Sequence, residues 1–395
     1  MNITRSAKDM WIYIITFIAC IFVDSFYGQH TFLVRKILLL WLYIFLCFGY
    51  TVGTDWRNYE DLYTIAPDDL LLNRIYEQGF YYIVYIIRQF LTDYWLFVGI
   101  LKCIYLYGVI RLVRRFTDKI FWVLAILMNY NLLFMLVDNP LRFMVASIFL
   151  IFSIDVILSK KYKKLLLIGV AGTFFHISIA LCFLVAISPL ALRQITKWPN
   201  SKLWILYAFT CVIGAFPSVL NSFGGLIAVY LPFLANKVEN TYFVESISPM
   251  FTIGSLIMFF LFFIVLKYKE SIIKAPHGDL LFYYTLIYMY LFRLLIIVPT
   301  GFRINIFFSI FFVIGLVYII SKRRPLLRLG IFGLLIITIS KNLWDSYQFI
   351  PYTNSIYYIV TQSHLPRSQR EDLNKIYYFQ RTGKQVEERK FEIRN

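Results

Sequence analysis

The chain has 395 residues, is 60% hydrophobic and 19% aromatic, and only 15% of it is charged. A soluble domain carries about a quarter charged residues, so this composition excludes an ordinary soluble enzyme and points to an integral membrane protein. The formal net charge of +17 would suggest nucleic acid in a soluble chain. Here the surplus of Lys and Arg on cytoplasmic loops accounts for much of it, and no nucleic-acid partner is expected.

The first apolar run, Trp11 to Val23, is followed by no small-residue cleavage site and is read as a span rather than a signal peptide. A helix needs about 20 residues to cross the hydrocarbon. On that measure spans are predicted at 10–28, 35–53, 95–111, 120–137, 140–158, 203–220, 250–267, 280–298, 303–320 and 326–342. The second span runs into Gly53-Thr54-Asp55-Trp56-Arg57-Asn58-Tyr59. There a glycine, a carboxylate, a guanidinium and two aromatics mark entry into a membrane interface. Two apolar pieces are irregular: 79–91 is short and contains Arg88, and 165–188 is interrupted by Gly169, Gly172 and His176. The predicted fold is all-α, a polytopic transmembrane helix bundle of about 10 full spans plus two broken or re-entrant segments.

Basic clusters set the expected sidedness. Arg111/Arg114/Arg115/Lys119, Lys160/Lys161/Lys163/Lys164, Lys267/Lys269/Lys274 and Lys322/Arg323/Arg324 all belong on the cytoplasmic side. They share that side only if 165–188 enters the membrane and returns; if 79–91 does the same, loop 53–78 faces outward and Arg35/Lys36 face inward. Broken backbone at membrane depth requires surrounding protein or a watery cavity, so a polar cavity is expected. Loop 53–78, the turn at Asp138-Asn139-Pro140, loop 221–249 with an interfacial helix from Gly224 to Leu234, Pro299-Thr300-Gly301 and the chain beyond Lys341 then face outward. The mixed-charge, basic tail 365–395 is expected to be helical in part.

Ionisable groups inside spans are costly and usually face a cavity or a partner. Lys102, Arg142, Arg293 and Arg303 fall in the outer half of the expected membrane, and His176 lies at the break of the second irregular piece. Fixed cations converging in a low-dielectric pocket suit a phosphate or diphosphate. Each has a structural alternative: Arg142 and Arg303 as snorkelling helix-start residues, Lys102 and Arg293 as partners of carboxylates, His176 as a packing histidine bonded to Ser178. Asp55 serves as a general base or as the cap of the following helix. Arg57 is within reach of Asp61 four residues on, and Glu77 suits a helix N-terminus. Asp155 lies towards the cytoplasmic side and is a poorer candidate. Cys20, Cys47, Cys103, Cys182 and Cys211 all lie in apolar runs and are expected to pack the core. There is no P-loop, no H-E-x-x-H and no Cys/His ligand spacing, so neither a cofactor nor a metal is expected.

In order along the chain, several short motifs resemble those of the EpsG family, a Wzy-like group of bacterial polysaccharide polymerases. They are Gly53-x-Asp55-x-x-x-Tyr59, Glu77-x-Gly79-Phe80, Arg142-x-x-x-Ala146, Lys160 to Lys164, His176-x-Ser178-x-Ala180, Arg303 and Pro351-Tyr352. The resemblance covers roughly residues 10–355. One departure is Phe143, where family members often carry Gln. The resemblance implies a transmembrane polymerase-like domain over 1–342, followed by an aromatic segment and basic tail over 343–395. It also implies a multi-pass enzyme of the bacterial cytoplasmic (inner) membrane, acting on undecaprenyl-diphosphate-linked oligosaccharide among membrane lipids, with a chain-length regulator and a flippase as partners. On that reading Arg142 and Arg303, supported by Lys102 or Arg293, stabilise the departing diphosphate. Asp55 leads as general base, ahead of His176 and Glu77, while Arg57, Trp56, Tyr59 and Tyr352 line the sugar entrance. A lipid-linked saccharide flippase or transporter, an O-antigen ligase and a membrane acyltransferase are the competing classes.

Overall fold

The computed structural model describes residues 3–26, 32–50, 52–53, 55–64, 77–138, 140–215, 253–294, 301–345, 349–350 and 352–382. The segment expected to form an interfacial helix, Gly224 to Leu234, lies outside these residues, as do Pro351 and the chain after Thr382.

The described chain is helical over most of its length. It opens with α1 (Ile3–Phe26) and α2 (Phe32–Cys47), then a two-residue strand β1 (Gly49–Tyr50) and the short helices α3 (Trp56–Thr64) and α4 (Gln78–Arg88). Next come α5 (Tyr94–Arg114), α6 (Ile120–Leu127), a π-helical stretch over Met128–Asp138, and α7 (Leu141–Leu158). Helices α8 (Tyr162–Phe175) and α9 (Ser178–Ile187) are followed by α10 (Asn200–Ala215), α11 (Ile253–Lys267), α12 (Lys269–Ile273), α13 (Gly278–Leu294), α14 (Gly301–Ser321) and α15 (Pro325–Asp345). The chain closes with β2 (Thr353–Asn354), α16 (Ser355–Thr361) and α17 (Arg367–Thr382).

Among the described residues, four helices are long and apolar enough to cross a membrane: Tyr94–Arg114, Leu141–Leu158, Ile304–Ser321 and Pro325–Trp344. The all-α expectation therefore holds, while the count of about ten spans is not reached. Helices also stand at the other expected positions: α1 has 24 residues, and α2, α10 and α13 each adjoin residues outside those described.

The span expected as one straight helix over 120–137 is instead bent by 69° between Ile120–Leu127 and Asn131–Asp138. Polar side chains sit at the bend. Asn129 donates to the Leu335 carbonyl at 3.2 Å, and Asn131 accepts from the Tyr105 hydroxyl at 3.1 Å. Such side-chain bonds accompany the wider π turns and redirect the axis.

Of the two irregular pieces, 165–188 is broken at His176 as its composition suggested, and 79–91 falls mostly in a single short helix. Helix α4 has 11 residues, about half the length of a crossing helix. Helices α8 and α9 pack on one another around the break at His176. A Cβ at Gly169 would meet the Phe183 ring at 2.4 Å, and one at Gly172 would meet Ile179 at 3.1 Å. The glycines that interrupt the apolar run thus let the two arms approach closely.

The chain forms two compact units. One comprises residues 1–107, 124–145 and 329–395. In it the segment after α15 is stitched to the end of α2 across more than three hundred residues of chain. β1 and β2 pair antiparallel, with Gly49 opposite Asn354. The Ser355 N–H donates to the Phe48 carbonyl at 2.7 Å, and the Tyr13 hydroxyl donates to the Phe349 carbonyl at 2.7 Å. Asn354 caps α16 by accepting from the Ile356 N–H at 3.0 Å.

The other unit comprises 108–123 and 146–328. Its centre is the pair α13 and α14. The Tyr288 and Phe312 rings stack there at 4.5 Å, and Gly315 lies against Thr285. Asp155 is held by Arg111 at 2.6 Å and Arg115 at 3.1 Å, which explains a carboxylate at that depth without invoking catalysis.

Gly53 has φ +90°, and a Cβ there would lie 2.4 Å from the Val137 carbonyl oxygen and 2.7 Å from the Asp138 Cα. Both obstacles are backbone, so neither can swing away. Gly53→Ala is expected to destabilise the protein by about 1–3 kcal/mol. Thermal unfolding of the purified protein in detergent should register this as a clear drop in midpoint; an unchanged midpoint would refute the close approach.

Candidate functional site

The local sequence around residue 53 explains the geometry that follows it. After the left-handed turn at Gly53, Asp55 stands immediately before α3, and its carbonyl accepts the Tyr59 N–H at 3.5 Å. Asp55 therefore occupies the helix-start position that the capping alternative requires. Helix α3 buries Trp56, Tyr59, Leu62 and Tyr63 on one side, a spacing that follows the 3.6-residue period.

Tyr59 points towards the start of α7. Its hydroxyl accepts from Arg142 Nε at 3.3 Å, and its ring meets Phe80 of α4 edge-on at 5.3 Å. Arg142 also forms an ion pair, through Nη1, with Glu77 Oε2. Glu77 stands at the N-cap of α4, yet its side chain makes no cap hydrogen bond. It turns to Arg142 instead, so the helix-capping expectation for this residue gives way to an ion pair. The result is a half-buried Tyr59–Arg142–Glu77 constellation drawn from three separate elements. Burial pushes the Tyr59 phenol above its usual value, and the Arg142 charge opposes that shift only in part. Tyr59 therefore remains a neutral hydroxyl beside the guanidinium.

Arg142 lies in the first turn of α7, where the helix N-terminus carries partial positive charge. A cation there is disfavoured by about 0.3–1 kcal/mol, so helix stability does not explain the residue. The Glu77 carboxylate offsets that cost. Arg303 also lies in the first turn of its helix, α14; its side chain is outside the described residues.

The remaining predicted residues are dispersed. Arg57 lies beside the Trp56 ring at 5.9 Å. Its expected partner Asp61 is engaged by Arg367 of α17 instead. An exposed i,i+4 pair is worth little, and the tertiary partner displaces it. Lys102 on α5 is fully buried, and its Nζ has no hydrogen-bond partner. The Cys47 and Cys103 thiols lie nearby and within hydrogen-bond reach of each other. Among the described residues no carboxylate pairs with Lys102.

Arg293 likewise has neutral partners. It donates to the Tyr207 hydroxyl at 3.1 Å and the Ser255 carbonyl at 2.9 Å, and so ties α10, α11 and α13 together. His176 is buried at the break between α8 and α9. The Ser178 N–H donates to its Nδ1 at 3.2 Å, and the Ser178 hydroxyl lies 2.8 Å from the same nitrogen. Nδ1 is therefore the accepting nitrogen. Tyr352 donates to the Phe45 carbonyl at 2.7 Å and receives the Asn354 amide at 3.1 Å, so its hydroxyl serves the β1–β2 junction.

Sequence reasoning missed Glu60, Trp95, His364 and Arg370. Glu60 and Arg370 form an ion pair at 2.8 Å, and His364 lies 2.9 Å from the Asp93 carboxylate. Nothing in the local sequence could match a tail arginine to a glutamate 310 positions earlier. Among the described residues no group of His, Cys, Asp and Glu could hold a metal ion.

A helix-rich architecture with several apolar helices long enough to cross a bilayer marks a membrane protein. The EpsG family model matches residues 31–354, and the chain belongs to the EpsG family. Members of that family are Wzy-like polysaccharide polymerases. No curated protein and no solved structure matches the chain significantly.

Glu77→Gln leaves the Arg142 guanidinium without its carboxylate. It should destabilise the protein by about 1–3 kcal/mol, and Tyr59→Phe, which removes one neutral acceptor, by about 1 kcal/mol. Detergent thermal unfolding of the two variants should reproduce that order. The reverse order would mean that Tyr59, rather than Glu77, anchors Arg142.

Proposed function

We propose that the protein polymerises undecaprenyl-diphosphate-linked oligosaccharide repeat units at the outer face of the bacterial cytoplasmic membrane. The growing glycan is transferred from its lipid carrier onto the non-reducing sugar of a new repeat unit. In this step the bond between the donor's anomeric carbon and the diphosphate oxygen breaks. A glycosidic bond to the acceptor hydroxyl forms, the hydroxyl proton passes to a base, and undecaprenyl diphosphate departs.

The observation that carries this reading is Arg142. It stands in the first turn of α7, oriented by Glu77 and Tyr59, in a chain of the EpsG family. Charge develops on the departing diphosphate, and a preorganised guanidinium aimed at it supplies the kind of stabilisation that often dominates catalysis. Arg303, on the first turn of α14, is the second cation. Lys102 supports the reading because a buried ammonium without a protein partner favours an anion. Asp55 is the leading general base, since it stands at the head of the helix that carries Tyr59. His176 remains a second candidate through its Nε2, because Nδ1 already accepts the Ser178 N–H. Arg57 holds the sugar rings, and Trp56 and Tyr59, buried on the inner side of α3, support it from behind. Arg293 and Tyr352 have main-chain and hydroxyl partners and act as supports. A chain-length regulator and a flippase are the partners this role implies.

Arg142→Ala and Arg303→Ala are each expected to abolish long-chain polysaccharide while single repeat units persist on lipid and protein levels stay normal. A gel of polysaccharide from strains carrying either variant tests this. Wild-type chain lengths would sink the assignment, loss of all surface sugar would indicate a flippase, and unattached free polymer would indicate a ligase.

A further inference from the structure

The family match ends at residue 354, but the chain continues through α16 and α17, which return to the neighbourhood of α3. Three ion pairs bring them there. His364 meets Asp93 at 2.9 Å, Arg370 meets Glu60 at 2.8 Å, and Arg367 meets Asp61. The main chain joins in, since the Leu365 N–H donates to the Tyr50 hydroxyl at 3.1 Å. The Tyr358 ring stacks on Tyr50 at 4.2 Å.

The ion pairs differ in weight. Arg367 and Asp61 are 43% and 47% exposed, and pairs of that kind contribute little. Arg370 and Glu60 are only 7% and 15% exposed, so removing either strands the other in a poorly solvated place. The Arg370 guanidinium also lies 5.0 Å from the Trp56 ring, 5.7 Å from Tyr50 and 5.8 Å from Trp95, within the range of cation–π attraction.

Helix α3 has nine residues, too few to hold its own shape and place in water. Its location must therefore come from tertiary contacts. Tyr59 reaches Arg142, while Glu60 and Trp56 are gripped by Arg370. Adjacent residues of one short helix thus connect the C-terminal arm to the Tyr59–Arg142–Glu77 constellation.

We infer that Arg370 is a positioning residue: the arm formed by α16 and α17 clamps α3 and so sets where that helix presents Arg57 and the Tyr59 hydroxyl to the candidate site. This rests on the polymerase reading of the same site. Arg370 acts through Glu60 and Trp56 and makes no contact with substrate.

The test uses the full chain in lipid nanodiscs, supplied with undecaprenyl-diphosphate-linked oligosaccharide extracted from cells that lack the protein. Arg370→Met keeps much of the side-chain volume and removes the charge. Amide exchange in 56–64 should accelerate, the KM for the lipid-linked unit should rise about tenfold, and kcat should change less than about threefold. Arg370→Lys keeps the charge but loses the planar fork, and should recover part of the protection and part of the KM. If Arg370→Met does not accumulate, the Lys variant alone is read, with the same directions.

Unchanged exchange in 56–64 would overturn the clamp. Faster exchange with wild-type KM would show that the position of α3 does not matter, and would overturn the inference as well. A raised KM without faster exchange would mean that Arg370 touches substrate directly. Should the wild-type chain make no polymer, the polymerase reading fails by itself, and α3 protection in the variants still decides whether Arg370 holds the helix.

Discussion

A guanidinium placed in the first turn of a membrane helix opposes the helix dipole and loses much of its hydration. In this chain that residue is Arg142, and its requirement for partners organises the elements around it. Glu77 leaves its own helix N-terminus uncapped to supply the carboxylate, and Tyr59 supplies an oxygen from α3. Because those partners come from three elements, α3, α4 and α7 must approach one another at this point. The sharp turn at Gly53, pressed against the Val137 and Asp138 backbone, allows the chain to leave α2 and reach that meeting place.

The other cations show how differently such residues are used when their partners differ. Arg293 spends its donors on a hydroxyl and a carbonyl from neighbouring helices and acts as a tie. Arg111 and Arg115 share one carboxylate, that of Asp155. Lys102 has no hydrogen-bond partner among the described residues despite complete burial, an arrangement that is costly for an ammonium left unanswered. Composition alone treats these groups alike; their surroundings separate supports from candidates for ligand contact. The same reasoning separates Tyr352, whose hydroxyl is committed to the Phe45 carbonyl, from Tyr59, whose hydroxyl faces a guanidinium.

Helix α3 has little stability of its own and carries much of the candidate chemistry. Asp55 stands at its head, Tyr59 on its inner face, and Glu60 and Asp61 on the face met by the C-terminal arm. A nine-residue helix placed by its neighbours can be adjusted by them. That makes the arm beyond the family-matched region a natural place for this chain to tune the site without altering the membrane helices.

Much of this was legible in the amino-acid order. An apolar composition with few charges required membrane helices, because only closed backbone hydrogen bonding is tolerated in lipid. Gly169, Gly172 and His176 marked the break between α8 and α9, and the shortness of 79–91 marked a helix too brief to cross. The ordered motifs around Asp55, Glu77, Arg142 and His176 carried the family. These are local signals, set by the period of a helix, the width of a bilayer and the steric freedom of glycine. Periodicity did not reveal the bend after Leu127, where Asn129 and Asn131 find partners on other helices. Nor did it reveal that Glu77 serves Arg142 rather than its own helix, that Asp61 turns to Arg367 rather than Arg57, or that Arg370 returns to Glu60. Each of those choices joins residues far apart in sequence, and a charged group selects its partner by where packing places it, which only the folded chain decides.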